Sequence, residues 1–141
     1  MSITTALRND HAELFRHIGQ LRLIISRSTA PTSIEMFQFR QGFTKMMLAH
    51  LTTEDWVLYP AMLRSIDFEV VATAKRFMDE MGGLREAYKS WLTRWPTDAI
   101  GEQWAAFVVE TNSLLDALSN RIQRENCELY PLVDGDVAQA A

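Results

Sequence analysis

The stretches HLTTEDWVLYP (residues 50–60) and RIQRENCELYP (residues 121–131) share one frame: a glutamate, four residues, then Tyr-Pro. Each closes a run with helical spacing. Before the first, Phe39, Phe43, Met46, His50, Glu54 and Val57 recur in steps of three and four, which at about 100° per residue keeps them on one face. Before the second, two adjacent apolar rows run through Trp104, Phe107, Leu114 and Leu118 and through Val108, Leu115, Leu118, Ile122 and Leu129. Two more stripes complete the pattern: Leu7, His11, Leu14, Ile18, Leu21 and Ile25, then Val70, Ala74, Phe77, Met81, Leu84, Tyr88, Trp91 and Trp95. The repeated frame therefore marks matching ends of the second and fourth of four helices, as if the chain were two copies of one hairpin.

Local signals set the expected boundaries. The first helix spans about Ser2 to Arg27. The second opens at Thr32, which with Glu35 three residues on has the form of a capping box, and ends or kinks at Pro60, since proline has no amide hydrogen. Asp67 caps the third, which stops at the WPTD stretch (residues 95–98). Inside it, Gly82 and Gly83 cost on the order of 2 kcal/mol relative to alanine, as expected of a kink or a close approach. The fourth begins near Thr97 or Asp98 and ends near Pro131, leaving residues 133–141 as a frayed tail. Long helices joined by short loops favour antiparallel neighbours. The expected fold is all-α, an up-down-up-down antiparallel four-helix bundle formed by residues 1–141 as one domain.

Composition narrows the function. A chain of 141 residues, 48% apolar, can fill one core. A net charge of −4 without a Lys/Arg cluster argues against nucleic acid and against anionic membranes. No basic amino-terminal region precedes an apolar run, so a cytoplasmic protein is expected. The lone Cys127 can form no internal disulfide and is expected in or near a helix interface.

Glu54 and Glu125, at equivalent places in the two frames, should meet at the bundle axis. Burying two carboxylates there demands a cation, a shared proton or a basic side chain. His50, four residues before Glu54, shares its edge of the helix, a geometry by which one helix gives two ligands to one ion. His11 interrupts the apolar stripe of the first helix, where a polar ring must find a partner. Together His11, His50, Glu54 and Glu125 make a two-histidine, two-carboxylate set suited to iron, zinc or manganese. Tyr59 and Tyr130, about 140° around an ideal helix from their glutamates, read as packing residues, and His17 as a surface or groove histidine.

The stretches LRNDHAELFRHIGQL (residues 7–21) and HLTTEDWVLYPAML (residues 50–63), with the ExxxLYPL form at residues 125–132, resemble the hemerythrin-like, or HHE cation-binding, domains. The resemblance spans nearly the whole chain. It implies a bundle in which histidines from all four helices hold two non-haem irons, bridged by two carboxylates. Carried over by position, His11, His50, Glu54 and Glu125 match the ligands of one metal together with both bridging carboxylates. Where the family brings histidines for the second metal, this chain has Phe77, Met81 and Arg121. Phenylalanine cannot coordinate, methionine sulfur suits ferric or zinc ions poorly, and a guanidinium is a permanent cation. A full di-iron centre and reversible oxygen carriage are therefore not expected. Arg121 either replaces the missing ion between the carboxylates or snorkels to water from the edge of the apolar face.

The expected function is a single non-haem metal ion, iron first, in a sensing or regulatory protein. Oxygen or peroxide is the expected small ligand, and a protein partner or homodimer is compatible with it. The alternative is a metal-free bundle acting as a protein–protein interaction module. A minor oxidase activity is compatible with open coordination positions, but a non-enzymatic role is the expected one.

Overall fold

A computed structural model describes residues 2–140, with side chains through Val137. Among the described residues the structure is all-helical, and the chain forms the expected four-helix bundle. Rod one is α1 (Ile3–Ile25), capped by the Ser2 hydroxyl, which accepts from the Thr5 amide. Rod two is α2 (Ser33–Thr53), a π turn (Glu54–Leu58) and α3 (Tyr59–Leu63). Thr32 caps it by accepting from the Glu35 amide at 3.1 Å, while the Glu35 carboxylate pairs with Arg27 at 3.0 Å.

Rod three is α4 (Phe68–Met81), capped by Asp67, and α5 (Leu84–Arg94). The break falls at Gly82–Gly83, where a Cβ on Gly82 would clash with the Met78 carbonyl oxygen, so glycine lets the rod turn there without strain. At its far end the buried Arg40 of α2 donates to the carbonyls of Trp95 and Leu92, satisfying acceptors that the end of α5 leaves unpaired.

Rod four is α6 (Trp104–Arg124), a second π turn (Glu125–Leu129) and α7 (Tyr130–Ala140). It starts later than expected at Thr97 or Asp98. The Ala99 amide closes a turn on the Pro96 carbonyl at 2.9 Å, and a 3-10 segment (Ile100–Gln103) precedes the helix. The expected helix end near Pro131 is also corrected. Both prolines are traversed, because each follows a π turn in which the tyrosine amide bonds back five residues, Tyr59 to the Glu54 carbonyl and Tyr130 to that of Glu125. The underwound turn loosens the backbone where the ring would crowd the preceding carbonyl and no amide hydrogen is available. Over residues 133–137, where fraying is expected, Asp134 takes hydrogen bonds from Thr4 and Arg8, and Asp136 one from Ser65.

The core has two parts. One packs Leu14, Ile18, Leu21, Phe43, Met47, Trp91, Phe107 and Leu118; the other packs Leu7, Leu58, Met62, Phe77, Met81, Leu129 and Val133. Between them, on rods one, two and four, lies a buried polar layer of His11, His50, Glu54, Arg121 and Glu125. No described helix is long and apolar enough to cross a membrane.

Candidate metal centre

Each rod of the polar layer contributes at one level. α1 supplies His11, rod two His50 and Glu54, rod four Arg121 and Glu125, and rod three only the carbonyl of Met81. His11, His50, Glu54 and Glu125 each place one potential ligand atom within 4.8 Å of the others. The neighbouring atoms are closer. His11 Nε2 lies 3.0 Å from His50 Nε2 and 3.2 Å from Glu125 Oε1, and His50 Nε2 lies 3.1 Å from Glu54 Oε1.

The outer ring nitrogens decide what these contacts are. His11 Nδ1 faces Asn126 Oδ1 at 2.7 Å and His50 Nδ1 faces Asp10 Oδ2 at 3.0 Å. Both partners are acceptors, so both Nδ1 atoms carry the proton; His11, kept neutral by burial, turns a bare Nε2 lone pair inward, and so does His50 whenever it is not also protonated against Glu54. Two bare nitrogens at 3.0 Å repel, and a bare Nε2 cannot donate to Glu125. Accordingly Glu125 Oε1 is a buried oxygen with no hydrogen-bond partner despite its 3.2 Å approach to His11. Either extra protons or one cation must fill the gap. For bonds of about 2.1 Å, donors at right angles lie about 3.0 Å apart and tetrahedral donors about 3.4 Å. The three close spacings, 3.0 to 3.2 Å, fall in that interval, and all four donors lie within 4.8 Å of one another, so this donor set could hold an ion.

The opposite side of the carboxylate pair is closed. Arg121, 1% exposed, donates from Nε to Glu125 Oε2 at 3.1 Å and from one terminal nitrogen to Glu54 Oε1 at 3.3 Å and Asp55 Oδ1 at 2.8 Å. Its other terminal nitrogen donates to the Met81 carbonyl at 3.1 Å. Of the two readings left open by the sequence, the guanidinium between the carboxylates is the one observed, and the snorkelling one is excluded.

Electrostatics follow from this arrangement. Burial, and then the nearness of His50, hold His11 down at about 4. Burial pulls His50 the same way, but Glu54 and Asp10 outweigh it and hold it above its ordinary value. Burial would raise Glu54, yet His50 and then Arg121 bring it to about 2. Glu125 is pushed well above the carboxylate range by burial and by the charge of Glu54, which Arg121 only partly offsets.

A model of the hemerythrin HHE cation binding domain matches residues 2–133. The chain belongs to that family. No curated protein and no solved structure matches it. In this hemerythrin-family chain the buried His/Glu cluster could bind a metal, while Phe77 and Met81 lie in the apolar core beside it.

Four residues of the site escape helical-spacing arguments. Tyr59 and Tyr130 are not mere packing residues. The Tyr59 hydroxyl donates to Glu125 at 2.8 Å and the Tyr130 hydroxyl to Glu54 at 2.5 Å, each crossing to the glutamate of the other rod. The shared Tyr-Pro frame was the available signal. Asp10 and Asn126 orient the two imidazoles, and adjacency to His11 and Glu125 was their only trace. His17 sits in a groove as expected, half-buried, donating to the Glu13 carbonyl and stacking on Phe43. Cys127 is exposed rather than set in a helix interface.

Proposed function

We propose that this hemerythrin-family bundle holds a single non-haem metal ion through His11, His50, Glu54 and Glu125, with Arg121 standing permanently where a second ion would lie. The supporting observation is the pair of inward Nε2 atoms 3.0 Å apart, with both outer nitrogens committed to acceptors. Asp10 and Asn126 fix the tautomers that make both rings ligands, as outer partners of metal-bound histidines do. When bound, the ion supplies a Lewis-acidic centre for a small ligand such as oxygen or peroxide. The protein's own residues bury that centre between two apolar core clusters and hold the carboxylates in place. The set suits iron first and accepts zinc or manganese. With one ion and a fixed guanidinium, the reading favours sensing or regulation over oxygen carriage.

Elemental analysis of protein expressed in metal-replete medium and purified without chelators tests the reading. One ion per chain is expected, lost in the His50→Ala variant. A content near zero would instead favour the metal-free interaction module, a state the layer can also reach with His50 protonated against Glu54 and Asp10. A content near two would overturn the role given to Arg121.

A further inference from the structure

The buried layer contains one more inward lone pair. Tyr130 is fully buried, and its hydroxyl oxygen lies 2.5 Å from Glu54 Oε2 and 3.1 Å from His11 Nε2. A phenol has one proton for these two neighbours. The shorter contact is to an ionised carboxylate, which takes it. The Tyr130 oxygen then faces the His11 nitrogen with a lone pair, and that nitrogen is bare because its ring donates to Asn126. Two acceptors stand 3.1 Å apart with no proton between them, which repeats the spacing of 3.0 to 3.2 Å among the four donors already described. The ring cannot swing away, since it stacks on the His11 imidazole at 5.2 Å with 17° between planes and has the Arg8 guanidinium 5.3 Å from its centroid.

Tyr59 provides the contrast. It occupies the equivalent position in the other half and donates to Glu125 Oε2 at 2.8 Å. Its neighbour on that side is the Arg121 guanidinium, 5.5 Å from its ring centroid, and no histidine nitrogen faces its hydroxyl.

Building on the single-ion reading above, we propose that the Tyr130 hydroxyl oxygen is a fifth donor to that ion, and that Tyr59 is not a donor. A phenolate is a hard, anionic oxygen ligand, so this assignment gives the site a preference for a trivalent ion such as ferric iron. On loading, the phenolic proton leaves by way of Glu54 Oε2, 2.5 Å away, and is released to solvent as a proton displaced by the ion, so Glu54 stays ionised with Oε1 free for the ion.

The full chain loaded with ferric iron tests this by colour, because a phenolate on ferric iron absorbs visible light by ligand-to-metal charge transfer. Unmodified protein carrying one iron should show the band, with phenolate modes in its resonance Raman spectrum. Per bound iron, Tyr59→Phe should keep the band even where loss of its hydrogen bond to Glu125 lowers iron content, and Tyr130→Phe should lose it. Iron-loaded unmodified protein without band or phenolate modes would overturn the assignment while leaving the four-residue site standing, as would a Tyr130→Phe variant that keeps the band. Failure of the unmodified chain to hold iron, zinc or manganese would remove both readings. Should Tyr130→Phe fold poorly, the Raman spectrum of the unmodified protein still decides.

Discussion

Replacing Arg121 by methionine, similar in reach but uncharged, should destabilise the chelator-treated protein at neutral pH and do so far less in mild acid. The guanidinium is 1% exposed and is the cation shared by Glu54, Glu125 and Asp55. Removing one partner of a buried ion pair costs about 3–5 kcal/mol, because the remaining charge is stranded. An independent bound comes from protonation. Glu125 is already held well above the carboxylate range by burial and by Glu54, so Glu54, at about 2 in the intact layer, is the charge at stake; His50 remains against it, so the cost of protonating it outright is an upper bound. Neutralising a carboxyl of ordinary pKa about 4.3 at pH 7 costs about 3.7 kcal/mol, and at pH 5 about 1 kcal/mol.

The sign follows from linkage. In the variant the raised carboxyl binds a proton that the unfolded chain has released, so stability relative to the parent rises as pH falls towards 4.3. Urea denaturation followed by circular dichroism should therefore show a deficit of roughly 4 kcal/mol at pH 7, shrinking to about 1 kcal/mol at pH 5. At neutral pH the melting temperature should fall by about 14 °C. A deficit below about 1 kcal/mol at pH 7, or one that stays constant between the two pH values, would refute the claim that the guanidinium neutralises this carboxylate pair.

Three further outcomes are expected. The double variant Met81→His with Arg121→His should raise bound metal from one ion per chain to two, measured by elemental analysis; a value that stays at one would break the correspondence between the two halves. Asp10→Ala removes the acceptor from His50 Nδ1 and should weaken metal affinity about 10- to 100-fold in a chelator competition; unchanged affinity would argue against the tautomer assignment. Gly82→Ala meets the Met78 carbonyl and should destabilise by about 1–3 kcal/mol in thermal or urea unfolding. Gly83→Ala, with nothing within 4 Å, should be neutral or gain up to about 1 kcal/mol, and equal effects at the two positions would count against the described break.

The four rods and the set His11, His50, Glu54 and Glu125 were legible because both rest on a regular period: a polar residue at a core position of an apolar stripe must be answered from another rod. What was not legible depends on departures from that period. Counting at the α-helical angle turns Tyr59 and Tyr130 away from the axis, whereas the π turns at Glu54–Leu58 and Glu125–Leu129 underwind the backbone and let both hydroxyls reach buried carboxylates. The same turns carry the rods through Pro60 and Pro131. Arg121 stayed ambiguous because the row beside it is equally apolar, and only packing against Met81 and Glu54 selects its direction. The roles of Asp10 and Asn126 could not be read because sequence spacing says nothing about which ring nitrogen faces outward.

The two halves of the layer answer the same electrostatic demand in different ways, and this bears on the proposed sensing role. In each, a glutamate is hydrogen-bonded by the tyrosine of the opposite rod and approached by the side chain four residues before it, His50 for Glu54 and Arg121 for Glu125. The arginine cannot be removed by chelation or by any accessible pH, so its ties to Glu125, Glu54, Asp55 and the Met81 carbonyl persist whether or not an ion is bound. The histidines have no such permanence: without an ion, their facing nitrogens require added protons or must separate. On the single-ion reading, loading and unloading therefore act on the histidine side of the layer, where His11 of α1 and His50 of α2 meet Glu125 of rod four, while Arg121 keeps its ties. The outer partners on that variable side are Asp10, half-exposed on α1, and Asn126 beside Glu125. On the proposed reading the ion's occupancy is reported to the surface where α1 meets α2, because that is where the buried charge is not already fixed.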